Sequence, residues 1–133
     1  MLLNLYIKKN STLSMVKYPL SKKLLDKYFI TNEMLENCAV TFSMKDADTG
    51  IFFIANVNAD LLYLPDRASF PHDTEYSLVY KFKKNQINKT GMYHGEFAID
   101  FLGQEQNCNS ITLPIEDFIN INIIDSITKT SVF

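Results

Sequence analysis

The side chains of this sequence that could do chemistry are few and scattered. There are two histidines, His72 and His94, and neither stands in an HxxxH or HxH spacing. No CxxC occurs either, so spacing alone assembles no zinc ligand set. His72 reads as a surface residue of a proline-containing loop, and His94 as one on the solvent-facing register of a strand. Asp46-x-Asp48-x-Gly50 has the opening of a calcium loop. Such a loop needs a bidentate acid at its twelfth position, and Val57 stands there. A hairpin turn is the simpler reading, because Asp side chains close turns and glycine supplies positive φ. No metal and no cofactor is expected.

Glu96 and Asp100 are the one pair of carboxylates with a spacing worth weighing. Paired carboxylates do acid–base work. On a strand, four residues put them about 13 Å apart on one face. Cross-strand pairing with Lys81 and Lys83 accounts for them more simply. The two cysteines, Cys38 and Cys108, are far apart and sit near apolar residues. They read as buried or free thiols, with a disulfide left open. No nucleophile elbow, Walker loop or dinucleotide fingerprint is present. Lys81, Lys83, Lys84 and Lys89 cluster near Tyr80 and Phe82, a mixture that can bind single strands. Alternation turns those aromatics inward, and a solvated strand face is the plainer reading. No catalytic residue is expected, so the chain is not expected to be an enzyme with a small-molecule substrate.

The elements that would carry these residues are mostly strands. Leu3, Leu5 and Ile7 alternate with polar neighbours, and Met15 to Leu20 forms a second extended stretch that stops near Pro19. Ser21 and Thr31 look like helix caps. Leu24, Leu25 and Tyr28 follow the first at helical spacing, and Met34 and Leu35 follow the second, giving a helical insert over 21–36. From Cys38 the period is two. Cys38, Val40, Phe42 and Met44, the turn 46–50, and Ile51 to Ile54 read as a hairpin. Leu61 to Leu64 is a further short strand. Tyr76, Leu78, Tyr80 and Phe82, then Tyr93, Gly95, Phe97, Ile99 and Phe101, predict an antiparallel hairpin across a polar connection. Gly95, inward within its strand, predicts a close backbone approach. Ile111, Leu113 and Ile115 form a short strand with Pro114 outward, which suggests an edge strand or a bulge. Ile119, Ile121 and Ile123 form the last strand, with a bulge or face switch at Ile124.

Seven to nine short strands with a turn about every ten residues predict a mainly β fold, an antiparallel β-sandwich with one or two short helices near the N-terminus. The 133 residues suit one domain over 1–133, large enough for a real core. A composition of 47% hydrophobic and 21% charged residues is globular, not disordered. A net charge of −2 leaves no electrostatic footprint for nucleic acid or an anionic membrane. No apolar run reaches the ~20 residues of a membrane helix, and Met1 to Ile7 lacks the order of a signal peptide. Synthesis in the cytosol, and incorporation into a particle there, is the expectation.

Three segments carry a resemblance. Val40-Thr41-Phe42-Ser43-Met44-Lys45-Asp46-Ala47-Asp48-Thr49-Gly50 and Gly91-Met92-Tyr93-His94-Gly95-Glu96-Phe97 resemble the N-terminal β-sandwich domain of bacteriophage baseplate upper proteins. Ile123-Ile124-Asp125-Ser126-Ile127-Thr128-Lys129-Thr130 resembles the ending of small proteins of tailed phages. The resemblance covers about two-thirds of the chain in pattern and excludes Met1 to Asn37. It implies an immunoglobulin-like or baseplate-type sandwich in a tail, neck or baseplate of a virion assembled in the bacterial host cytoplasm. It implies no catalytic residue.

The expected function is therefore that of a structural virion protein. Its partners would be other phage structural proteins and copies of itself. The apolar, strand-like ends are the expected interface: Leu3, Leu5, Ile7, Ile119, Ile121, Ile123, Ile127 and Val132. Extended apolar ends can add strands to a neighbour's sheet. The alternative is a carbohydrate- or host-receptor-binding module, with Phe70 and His72 in the Pro65 to Thr74 loop.

Overall fold

The structure, a computed structural model, describes residues 3–11, 13–65, 74–101, 110–115 and 117–125. In chain order they form β1 (Leu3–Lys8), β2 (Met15–Leu20), α1 (Lys22–Lys27), α2 (Asn32–Glu36), β3 (Cys38–Asp46), β4 (Phe52–Asn58), β5 (Asp60–Tyr63), β6 (Tyr76–Lys81), β7 (Gly91–Phe101), β8 (Ser110–Leu113) and β9 (Ile119–Ile124). The protein is mainly β, with two short helices where the capping residues predict them. Ser21 Oγ accepts from the Leu24 N–H at 3.1 Å, and Thr31 Oγ1 accepts from the Met34 N–H at 3.2 Å. Each hydroxyl satisfies a donor that the first helical turn leaves without a partner. No helix among the described residues is long and apolar enough to cross a membrane.

The strands form two sheets. The larger runs β1-β9-β7-β3-β4, with β8 also on β7, and the smaller runs β2-β6-β5. β7 is the spine of the larger sheet. β3 pairs along it from Cys38 opposite Phe101 to Asp46 opposite Tyr93. Its other side is shared: Gly91–Gly95 pairs with β9 and Phe97–Asp100 with β8. Pro114, Ile115, Asp117 and Phe118 lie outside the sheet, between those two strands in sequence. Pro114, expected outward, is therefore buried where the chain turns away from β8. Ile124 needs no bulge, because it occupies an ordinary outward position opposite Lys8.

The sheets are not purely antiparallel. β1 lies parallel to β9, Leu3 opposite Ile119 through Lys8 opposite Ile124. A larger departure concerns β6 and β7, which do not form a hairpin. β6 pairs with β2 and β5 in the smaller sheet, so Lys81 and Lys83 do not face Glu96 and Asp100. Glu96 lies opposite Ser43, and Asp100 opposite Ala39 and Ser110. The polar connection crosses between sheets and is built for it. Gln86 Oε1 accepts from the Tyr80 hydroxyl and from the Lys83 N–H, each at 2.8 Å. Ile87 is fully buried, and its carbonyl accepts from Asn10 N–H at 3.0 Å. An apolar plug inside a polar run has no period to reveal it.

β4 passes into β5 across one residue, Ala59, whose N–H donates to the Val40 carbonyl at 2.9 Å. The chain thus changes sheets almost without a loop. Two register shifts along β4 precede this corner. Asn56 there has φ +49°, and Ser43 Oγ accepts from its N–H at 2.9 Å. Bulges of this kind bend a strand and disrupt its outer edge. On the smaller sheet, Pro19 lies within β2 rather than ending it, a position that edge strands tolerate.

Both sheets contribute to one buried cluster. At its centre Phe42 of β3 stacks on Tyr80 of β6, centroids 4.8 Å apart and planes 16° apart. Phe97 and Phe82 flank the same ring at 5.0 and 5.9 Å. Gly95 makes the room, as its close approach predicts. A Cβ there would lie 2.8 Å from Ile121 Cδ1 and 3.0 Å from Phe42 Cζ. Gly95→Ala is expected to overpack this site and cost about 1–3 kcal/mol. Urea unfolding checks this; an unchanged midpoint would mean that Phe42 and Ile121 have space to yield.

Candidate functional site

The eight residues expected to form an interface divide sharply by place. Ile7, Ile119, Ile121 and Ile123 are buried in this chain's own core, with Leu3 and Leu5 packed against it. Ile127 and Val132 lie outside the described residues. The parallel pairing of β1 with β9 explains the burial, because each apolar end hides the other. Their side chains are used internally, and the outer backbone edge of β1 carries no strand among the described residues. His72, Phe70 and Cys108 also lie outside the described residues. Cys38 is free and half-buried; its Sγ donates to the Leu35 carbonyl at 3.2 Å, and burial pushes its thiol up from the ordinary range.

Two exposed surfaces among the described residues bring side chains together. The first is the outer face of the larger sheet, where alternation places the polar register of each strand. One row crosses five strands: Asn4, Asn120, His94, Lys45 and Phe52. A second holds Tyr6, Asn122 and Met92. Asn120 Nδ2 donates to Asn4 Oδ1 at 3.3 Å and Asn122 Nδ2 to the Leu5 carbonyl at 3.4 Å, so amide side chains bridge β9 and β1. Phe118, just before β9, stacks on His94 with centroids 4.7 Å apart and planes 2° apart. Lys45 Nζ lies 5.5 Å from the centre of the Phe118 ring. Tyr6, Phe52 and Met92 are more than half exposed. The result is a polar face studded with planar and apolar groups. It can stack on and hydrogen-bond to a partner, but it encloses nothing.

The second surface is the end of the molecule built by α1 and α2. Tyr28 and Phe29 follow α1, and the Ile30 N–H returns to the Leu25 carbonyl at 2.9 Å. That closure puts Phe29 at φ +56° and leaves it 84% exposed. Beside it runs a groove of about 560 Å³ lined by Met34, Phe101, Ile111 and Ile115. A second groove of about 470 Å³ meets it at Tyr28 and Ile115, and carries Tyr18, Lys23, Lys27 and Asp117. Burial, with Tyr28 adding repulsion, pushes the Tyr18 phenol up. Lys27 Nζ lies 5.4 Å from the centre of the Tyr28 ring. Sequence reasoning missed this surface. The available signal was Tyr28-Phe29-Ile30, three large apolar residues in a row that a short turn cannot all bury.

The Asp46 loop is a turn. Its Oδ1 accepts from the N–H of Asp48 at 2.8 Å and of Thr49 at 3.0 Å, and Gly50 has φ +73°. Among the described residues no three His, Cys, Asp or Glu side chains lie close enough to hold a metal ion. Glu96 and Asp100 lie on the outward register of β7, Glu96 half-buried and Asp100 exposed.

No family model matches the chain, and no curated protein matches it either.

The turn gives a pH prediction. The Thr49 and Asp48 N–H groups hold the Asp46 carboxyl below its ordinary value. A depressed folded value means that the stabilisation is fully present above the ordinary carboxylate pKa of about 4. It is lost as pH falls through the lower folded value. Thermal melts from neutral to strongly acid pH should show wild type losing stability more steeply than D46N. Parallel slopes would remove Asp46 as the titrating group.

Proposed function

We propose that this chain is a non-enzymatic structural component of a tailed-bacteriophage particle, a baseplate-type β-sandwich that works through contacts with other virion proteins and with copies of itself. Its place is in the tail, neck or baseplate. The observation that carries this reading is the division of the surface. The core is closed by the chain's own strands, while aromatic and apolar side chains remain outside in groups: Tyr6, Phe52, Met92 and Phe118 on one face, Tyr28, Phe29 and Ile115 at one end. A contiguous exposed apolar patch marks a surface that meets a partner, and the Phe29 end, where exposed rings adjoin an apolar groove, is the nearer to one. The two segments that resemble baseplate proteins also support it. Val40–Asp46 and Gly91–Phe97 lie on the adjacent strands β3 and β7 and pair with one another, Met44 opposite Gly95.

A second reading, a module that binds host-surface glycan, draws on the outer sheet face. Amides and the exposed Tyr6 ring side by side provide both hydrogen bonding and a stacking surface. Tyr6→Ala and Phe118→Ala would then abolish glycan retention without changing the fold.

Mass spectrometry of purified particles separates the readings from a free cytosolic role. The chain is expected in intact virions at a reproducible stoichiometry. Its absence from them would sink the structural assignment.

A further inference from the structure

We infer that the α1–α2 end is a self-complementary interface that joins two copies of this chain about a two-fold axis. This deepens the assembly reading, and rests on it, by naming the surface and the partner.

Phe29 is the most anomalous side chain among the described residues. It has φ +56°, in a backbone region that bulky residues rarely adopt. The conformation closes α1, because the Ile30 N–H reaches the Leu25 carbonyl at 2.9 Å and Ile30 is buried, yet it leaves the Phe29 ring itself 84% exposed. Next to the ring lies the groove lined by Met34, Phe101, Ile111 and Ile115. Phe29 forms part of the groove's wall but stands out into solvent. A projecting ring and an apolar groove therefore sit side by side on one surface. That is the arrangement an isologous pair requires, in which the same patch meets itself after rotation.

Charge complementarity points to a second copy as the occupant. On the N-terminal side of Phe29, α1 carries Lys22, Lys23 and Lys27 against one acid, Asp26. On the C-terminal side, α2 carries Glu33 and Glu36 and no base. All of these side chains are exposed. A two-fold axis beside Phe29 exchanges the two helices between copies. Each basic α1 then faces the partner's acidic α2, and each Phe29 meets the other copy's groove. A foreign partner of one charge would be attracted by one helix and repelled by the other. A second copy satisfies both.

Sedimentation of the whole chain over a concentration series, at low and high salt, tests the proposal. Wild type is expected to dimerise, more weakly in high salt. F29G removes the ring and relieves the positive φ, so the fold should melt no lower while dimerisation weakens roughly tenfold or more. Two charge variants give a second measurement. K23E/K27E and E33K/E36K should each be monomeric alone, because both contacts become like-charged. Mixed in equal amounts they should pair, because opposite charges face each other again. A wild type monomeric at every concentration, a dimer indifferent to F29G, or a mixture that does not pair would overturn the interface. Such a result, with the chain still present in purified virions, would leave the structural assignment standing.

Discussion

The Phe42 ring is where the two sheets become one structure. It belongs to β3 in the larger sheet and stacks on Tyr80 in the smaller. Phe82 and Phe97 close around it, so a single side chain touches aromatic partners on both sides of the sheet junction. Stacked and edge-on pairs of this kind add about 0.5–1.5 kcal/mol each beyond the apolar area they bury. The position tolerates no freedom. Below it, Gly95 brings the β7 backbone close enough that even a methyl group would collide. Above it, Tyr80 is tied through Gln86 to the chain that crosses between sheets. β3, β7 and the crossing between the sheets all meet at this one ring.

The sheets are also joined covalently, and closely. β4 becomes β5 across Ala59, and the opposite crossing is pinned where Asn10 meets Ile87. Short, hydrogen-bonded corners leave the two sheets few ways to shift relative to each other. They also decide which edges stay open. Bulges irregularise β4 and a proline occupies β2, while β1 keeps a regular edge. Accessible surface chemistry is thereby concentrated in side chains, on the outer sheet face and around the helices.

Much of this was legible in the residues. Ser21 and Thr31 announced both helices, because capping chemistry is local. The alternation from Cys38 to Met44 and from Tyr93 to Phe101 marked β3 and β7, because one face of each is buried. Pairing was less legible. Tyr76–Phe82 and Tyr93–Phe101 have the look of a hairpin, since period two reports which face is buried but not which strand lies alongside. The parallel contact of β1 with β9 joins residues more than a hundred positions apart, beyond the reach of any local pattern. This is also why the apolar ends suggested an interface: without a visible partner, Ile119, Ile121 and Ile123 had to hide against something. The surface around Phe29 was missed for a different reason. Its exposure follows from how α1 closes, and a positive φ at phenylalanine contradicts the preference that sequence reading relies on.

The parallel pairing of β1 with β9 has a mechanical consequence. The chain enters this pair at Leu3 and leaves it at Ile124, which lie at opposite ends of the two strands. Tension drawn through those ends pulls the strands along their length in opposite directions. Every hydrogen bond between them is then loaded together, instead of one after another as when a hairpin is peeled from its tip. The bridging amides of Asn120 and Asn122 lie across the same line of shear. Pulled in this direction, the domain resists as a clamp and not as a zipper.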